Sequence, residues 1–191
     1  FSMIFSLKDY VHLNDLLIHK SYVDLFTRNH LQTFQDFLDY QGGEVFRRNR
    51  LRSVVKMELK DPENLSFFFH MKRHELSWKE RLVSLFHLGR AQDGEHEWRR
   101  LLEFCGAGIP TTFPVVFARQ RFLGFPWKSM TVTEHLYETQ RLEEFIPSCF
   151  SGEGAQDLRF KRKILKQMAA LCREFHQMAS NHTELYLGAF F

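Results

Sequence analysis

The spacing of apolar and polar positions changes character several times along the chain, and each change marks an element. The first forty residues are predicted helical. Within them Thr33 followed by Asp36 reads as a capping box that opens a short helix, closed at Gly42-Gly43. From Glu44 the helical spacing gives way. Residues 54–59, Val-Val-Lys-Met-Glu-Leu, alternate in part, and residues 65–71 form a second apolar, aromatic run. The turn-rich Lys60-Asp61-Pro62-Glu63-Asn64 lies between the two runs, so a hairpin is predicted.

Helical spacing returns at Gly94, where Trp98, Leu101, Leu102 and Cys105 make a stripe at steps of three and four. Gly106, Gly108 and Pro110 stop it. Glu97 stands four residues before Leu101, on the edge of that stripe, and a carboxylate placed there needs a partner. Two strands follow, at residues 114–118 and 129–134, then a short helix at 142–146 ended by Pro147. After the loop Ser151-Gly152-Glu153-Gly154 a long helix is predicted near residues 157–178. Its Ile164, Met168, Leu171, Phe175 and Met178 line one side. The chain closes on an irregular turn at His182-Thr183-Glu184 leading into a short apolar strand. Strands interrupted by one helix and followed by helices predict an α+β fold with segregated layers.

Composition narrows the class. The chain has 191 residues, 44% of them hydrophobic, with 21 Phe, enough for a sizeable core. No apolar run reaches spanning length, and the opening FSMIFSL lacks the basic start and small-residue cleavage site of a signal peptide. Three scattered cysteines, Cys105, Cys149 and Cys172, suit free thiols in a reducing compartment, and the cytoplasm is expected. Net charge is only +3, but cations gather in two places. Arg47, Arg48, Arg50, Arg52 and Lys56 form one group; Arg159, Lys161, Arg162, Lys163 and Lys166 form the other. Each reads as a solvated face or as a contact for phosphates or an anionic membrane.

No metal site is expected. His70 and His74 on a strand would share a face about 13 Å apart, and His12 and His19 on a helix about 10 Å apart. No nucleophile motif is present, and aromatics are too sparse in the basic groups to expect nucleic acid.

Several segments, in order, carry a resemblance. Phe67-Phe68-Phe69-His70-Met71-Lys72 stands where a kinase puts its third strand and phosphate-binding lysine. Glu95-His96-Glu97-Trp98 followed by Gly108-Ile109-Pro110 is similar to the next helix and its turn. Thr131-Val132-Thr133-Glu134 is similar to the strand entering the hinge. Phe175-His176-Gln177 with His182-Thr183-Glu184 resembles the catalytic loop. Together, over roughly residues 33–191, these resemble the lipopolysaccharide core heptose and Kdo kinase family.

The resemblance implies a protein-kinase-like fold: a helical N-terminal extension over residues 1–43, an antiparallel N-lobe with one αC-type helix over 44–138, and the start of a helical C-lobe over 139–191. It implies ATP and Mg²⁺, and as acceptor an anionic glycolipid or core sugar at the cytoplasmic face of the inner membrane, with peripheral contact to that membrane. Lys72 would grip the nucleotide phosphates and Glu97 would hold it. Glu134, His135 and Leu136 would meet adenine, mainly through main chain. Glu184 would accept the hydroxyl proton and His182 would order the loop.

The pattern departs from the family in three ways. No GxGxxG precedes Lys72, the base position holds a glutamate one methylene longer than aspartate, and Ala189 stands where Asn or His is expected. The segment that would bring a DFG-like metal acid is expected beyond Phe191. These departures keep a second expectation open, a pseudokinase-like module that binds nucleotide or a partner without turnover.

Overall fold

The computed structural model describes residues 7–48, 52–75, 94–122, 125–137, 139–140, 142–149 and 155–177. Seven strands run through it: β1 (Tyr10–Leu13), β2 (Leu16–His19), β3 (Gly43–Arg48), β4 (Arg52–Lys60), β5 (Ser66–Glu75), β6 (Pro114–Phe122) and β7 (Phe125–Glu134). Among the described residues five α-helices accompany them: α1 (Val23–Arg28), α2 (Phe34–Asp39), α3 (Gly94–Gly106), α4 (Leu142–Cys149) and α5 (Ala155–Gln177). The strands form one sheet in the order β1-β2-β6-β7-β5-β4-β3, and each pairing is antiparallel. Two compact units divide the chain, Phe1–His135 and Leu136–Phe191.

The expected hairpin of residues 54–71 is present as β4 and β5. Asp61 accepts from the N–H groups of Glu63 and Leu65 at 2.9 and 2.8 Å, and Asn64 takes φ 62°. An Asx-turn of this kind lets one side chain satisfy two loop donors. The capping box is present too: Asp36 N–H donates to Thr33 Oγ1 at 3.3 Å, and Thr33 N–H donates back to Asp36 at 2.7 Å.

The helical reading of the opening residues is corrected. Residues 10–19 are not helix but a hairpin, β1 and β2, whose Leu13 and Leu16 close a two-residue turn at Asn14-Asp15. Asn14 takes φ 53°, a left-handed conformation that asparagine tolerates and most residues resist. Two short runs of four residues cannot be told from a helix by period alone. β2 then pairs with β6 and extends the sheet beyond the strands that the sequence suggested. Among the described residues, α1 and α2, six residues each, are the α-helices that answer to the predicted helical extension. The short helix also differs. It runs through Pro147 to Cys149, since a proline near the end of an eight-residue helix forfeits a single hydrogen bond.

Strand alternation gives the sheet two unlike faces. One carries Leu16, Ile18, Val55, Met57, Phe69, Met71, Val116 and Met130, all buried. α1 and α2 cover this face with Phe26 and Phe37, whose rings lie 5.6 Å apart, and Phe26 meets Phe69 at 5.2 Å. Arg73 Nη2 donates to the carbonyls of Phe37 and Tyr40 at 2.5 and 3.0 Å, tying β5 to the carbonyl end of α2. α3 lies on the other face.

Candidate functional site

Lys72 sits in the middle of β5, opposite Val54 of β4 and Thr131 of β7. Its neighbours Met71 and Phe69 point into the core, so alternation sends Lys72 to the face that α3 covers. There its ammonium donates to Glu97 Oε1. The side chains remain 39% and 30% exposed, enough for a charged ligand to reach the pair.

The position of Glu97 follows from how α3 is seated. Gly94 opens the helix, and its N–H donates to Ser129 Oγ at 2.9 Å. A Cβ on residue 94 would lie 2.9 Å from that same oxygen, so only glycine permits this approach. One turn on, Trp98 is buried. It stacks on Phe117 of β6 at 5.5 Å and meets the ring edge of Tyr10 of β1 at 5.4 Å. Tyr10 is fixed in turn by its hydroxyl, which donates to Pro114 O at 2.6 Å. The unexpected hairpin therefore buttresses the helix that carries Glu97. The first turn of a helix also favours a carboxylate, through its exposed N–H groups.

Burial acts to raise the Glu97 carboxyl, but the nearby His74 and the ammonium of Lys72 outweigh it and hold the group at about 2, against an ordinary 4.5. His74 Nε2 lies 3.5 Å from Glu97 Oε2, a loose approach to the oxygen that Lys72 leaves open. At neutral pH Glu97 is therefore a carboxylate.

Residues 134–136 lie at the end of β7 and just beyond. The N–H of Glu134 donates to Phe113 O at 2.9 Å, and that of His135 to Phe68 O at 3.0 Å. Both main-chain donors are spent inside the protein. The Glu134 carboxylate accepts from Tyr22, on the core side, and Leu136 O accepts from Thr139 Oγ1 at 3.2 Å. His135 turns its ring the other way, toward the face of Lys72. Its Nδ1 is 2.8 Å from His70 Nε2, so one ring donates and the other accepts. Burial first, then His135 and the ammoniums of Lys56 and Lys72, push His70 down to about 4; burial and Lys56 also lower His135. Lys56 stands 4.7 Å from the ring centre of Phe68.

Sequence reasoning selected Lys72 and Glu97, and the fold joins them. It passed over the His70–His135 pair and the approach of His74 to Glu97, because it weighed His70 and His74 only as metal ligands and His135 only as a main-chain contact for adenine. Their alternation with Lys72 on one strand face was the available signal. His182, Glu184 and Ala189 lie outside the described residues, as does Arg50 of the first basic group. No group of three His, Cys, Asp or Glu poised for a metal occurs among the described residues.

A mid-strand lysine held by a glutamate on the next helix is the phosphate grip of kinase-like proteins. The chain belongs to the lipopolysaccharide kinase (Kdo/WaaP) family, which residues 48–191 match. It is similar to the lipopolysaccharide core heptose(I) kinase WaaP of Escherichia coli, with 27% identity over 149 residues, 78% of this chain and 54% of the relative. The WaaP of Escherichia coli strain K12 is 27% identical over 151 residues, with the same shares covered. The chain thus spans about half the length of these curated relatives. A solved structure, WaaP in complex with acyl carrier protein, shares the fold with a TM-score of 0.56. It is 21% identical, and the match covers 84% of this chain and 56% of that one.

Proposed function

We propose that this chain is the nucleotide-gripping part of an ATP-dependent kinase that phosphorylates a hydroxyl of a lipopolysaccharide core sugar. The contact between Lys72 and Glu97 carries the reading. A transferring phosphoryl group spreads negative charge over its oxygens, and the protein's share of catalysis is to place and stabilise that charge. Lys72 meets the nucleotide phosphates from the sheet, and Glu97 keeps its ammonium aimed. His70, His135 and Phe68 form the neighbouring surface on the hinge side, where the base of the nucleotide lies. With both N–H groups of Glu134 and His135 engaged, that surface reads the base through shape and ring contact, and main-chain donation falls to Leu136.

Glu184 is the carboxylate proposed to take the acceptor's proton, with His182 ordering its loop. Bound with the nucleotide phosphates, Mg²⁺ would supply charge neutralisation; no group of three His, Cys, Asp or Glu that could hold it occurs among the described residues. The acceptor class places the reaction at the cytoplasmic face of the inner membrane.

A second reading has its own support. Glu184 in the base position and Ala189 five residues on favour a pseudokinase-like module that keeps the nucleotide and has lost turnover.

Thermal unfolding with and without Mg·ATP tests the common part. The wild type is expected to gain about 5–10 °C with nucleotide at roughly a hundred times its Kd. Lys72→Ala is expected to gain nothing. No gain in the wild type rejects both readings. Transfer of labelled phosphate to dephosphorylated core oligosaccharide by the full-length protein then separates enzyme from pseudokinase.

A further inference from the structure

Four of the five cations of the second basic group gather with Arg173 in a single stripe on α5, and Lys161 falls outside it, toward the apolar side. At about 100° per residue, Arg159, Arg162, Lys163, Lys166 and Arg173 fall within an arc of about 100°, and each is exposed. Over the described part of the helix from Leu158 to Gln177, the lone acid is Glu174. No ion pair engages the five cations among the described residues. The opposite side carries Ile164, Met168, Leu171 and Phe175, all half-buried, while Phe160 meets Phe145 of α4 edge-on at 6.2 Å. The helix thus packs by its apolar side and shows its basic side outward.

We propose that this stripe is a docking surface for a bilayer of anionic lipid, which holds the protein beside its membrane-borne acceptor. The surface is independent of the nucleotide grip; only the role assigned to docking rests on the kinase reading.

Three observations favour a bilayer over other polyanions. From Arg159 to Arg173 the cations extend about 21 Å along the helix. One phosphate group spans a fraction of that length, whereas a plane of headgroups meets the whole row. Two large apolar side chains border the stripe on one side, Leu158 at 53% and Leu165 at 63% exposed. Seven residues apart, they stand two turns from each other on the same flank, placed to dip between headgroups while the cations meet phosphates. The stripe itself is interleaved with Gln167 and Ala170 and no aromatic ring, so it lacks the stacking platform of a single-stranded nucleic acid site.

Co-sedimentation with vesicles tests the surface. The whole chain is expected to pellet with vesicles of phosphatidylcholine plus phosphatidylglycerol, to stay in solution with phosphatidylcholine alone, and to release at high salt. Each cation near an anionic surface is worth about fivefold in affinity, so the triple variant Arg162→Gln, Lys163→Gln, Lys166→Gln is expected to bind about 100-fold more weakly. The double variant Leu158→Ser, Leu165→Ser is expected to lose vesicle binding severalfold and to keep its binding to heparin, a polyanion without an apolar interior. Circular dichroism and the Mg·ATP thermal shift check that the variants fold.

Equal binding to neutral and charged vesicles overturns the proposal, as does unaltered binding by the triple variant. So does a wild type that binds heparin or an acidic protein and ignores vesicles. Lys72→Ala is expected to bind vesicles normally, so failure of docking and failure of the nucleotide site are separate results.

Discussion

The imidazole of His74 stands 3.5 Å from the free oxygen of the carboxylate that Lys72 holds by the other. Residues 72 and 74 share a face of β5, so one glutamate on α3 receives two neighbours from a single strand. The aim of Lys72 therefore depends on Glu97, and Glu97 is steadied from both sides.

Substitutions along this line are expected to rank. Lys72→Ala removes the charge proposed to meet the phosphates and is expected to lower kcat/KM for ATP by about 10²–10³-fold. Glu97→Gln keeps the lysine but loosens its aim, a displacement of the kind that costs about 100-fold. His74→Ala is expected to cost about tenfold or less, since its contact is the longer one. Steady-state kinetics on the full-length protein checks the order, and a His74→Ala defect larger than that of Glu97→Gln contradicts it.

Acid is expected to weaken the same pair. The folded-state Glu97 carboxyl is held at about 2, below the 4.5 of the unfolded chain. Below 4.5 the unfolded chain takes up this proton first, so the contribution is whole above that pH and lost as pH falls toward 2. The difference in Tm between wild type and Glu97→Gln is expected to be greatest above pH 4.5 and to shrink below it. A difference that is flat across this range contradicts the assignment.

The histidine pair acts over a higher window. His70 is held at about 4 against an ordinary 6.5, so it stays neutral in the fold while the unfolded chain protonates. Stability is whole above pH 6.5 and falls between 6.5 and 4. His70→Phe is expected to flatten that part of the Tm profile. Ring-proton NMR is expected to show no titration of His70 until well below pH 6.

The buttress under α3 gives a stability prediction. Trp98→Ala leaves a large cavity between Tyr10 and Phe117 and is expected to cost about 3–5 kcal/mol in urea unfolding. Tyr10→Phe removes the donor to Pro114 O and is expected to cost about 1 kcal/mol. Both are expected to reduce the Mg·ATP shift although neither residue is among those proposed to meet the nucleotide.

The readable parts of the fold were those with local chemistry. Asp61 and Asn64 announced the β4–β5 turn, Thr33 and Asp36 announced α2, and the Trp98–Leu101 stripe announced α3. The β1–β2 hairpin was missed because eight residues around Asn14-Asp15 give too little pattern to separate strand from helix; pairing with β6, a hundred residues away, decides the matter. The Lys72–Glu97 contact was legible because both residue types conform to a known grip. The meeting of His70 with His135, 65 residues apart, depends on sheet register, which one sequence does not reveal.

β5 serves two masters by parity. Its odd positions, Phe69 and Met71, belong to the oil, and its even positions, His70 and Lys72, belong to the chemistry. Inserting one residue ahead of Phe69 would exchange these duties, sinking an ammonium into hydrocarbon and offering a thioether to the nucleotide. Mutational drift is accordingly open to this strand by substitution and closed to it by length.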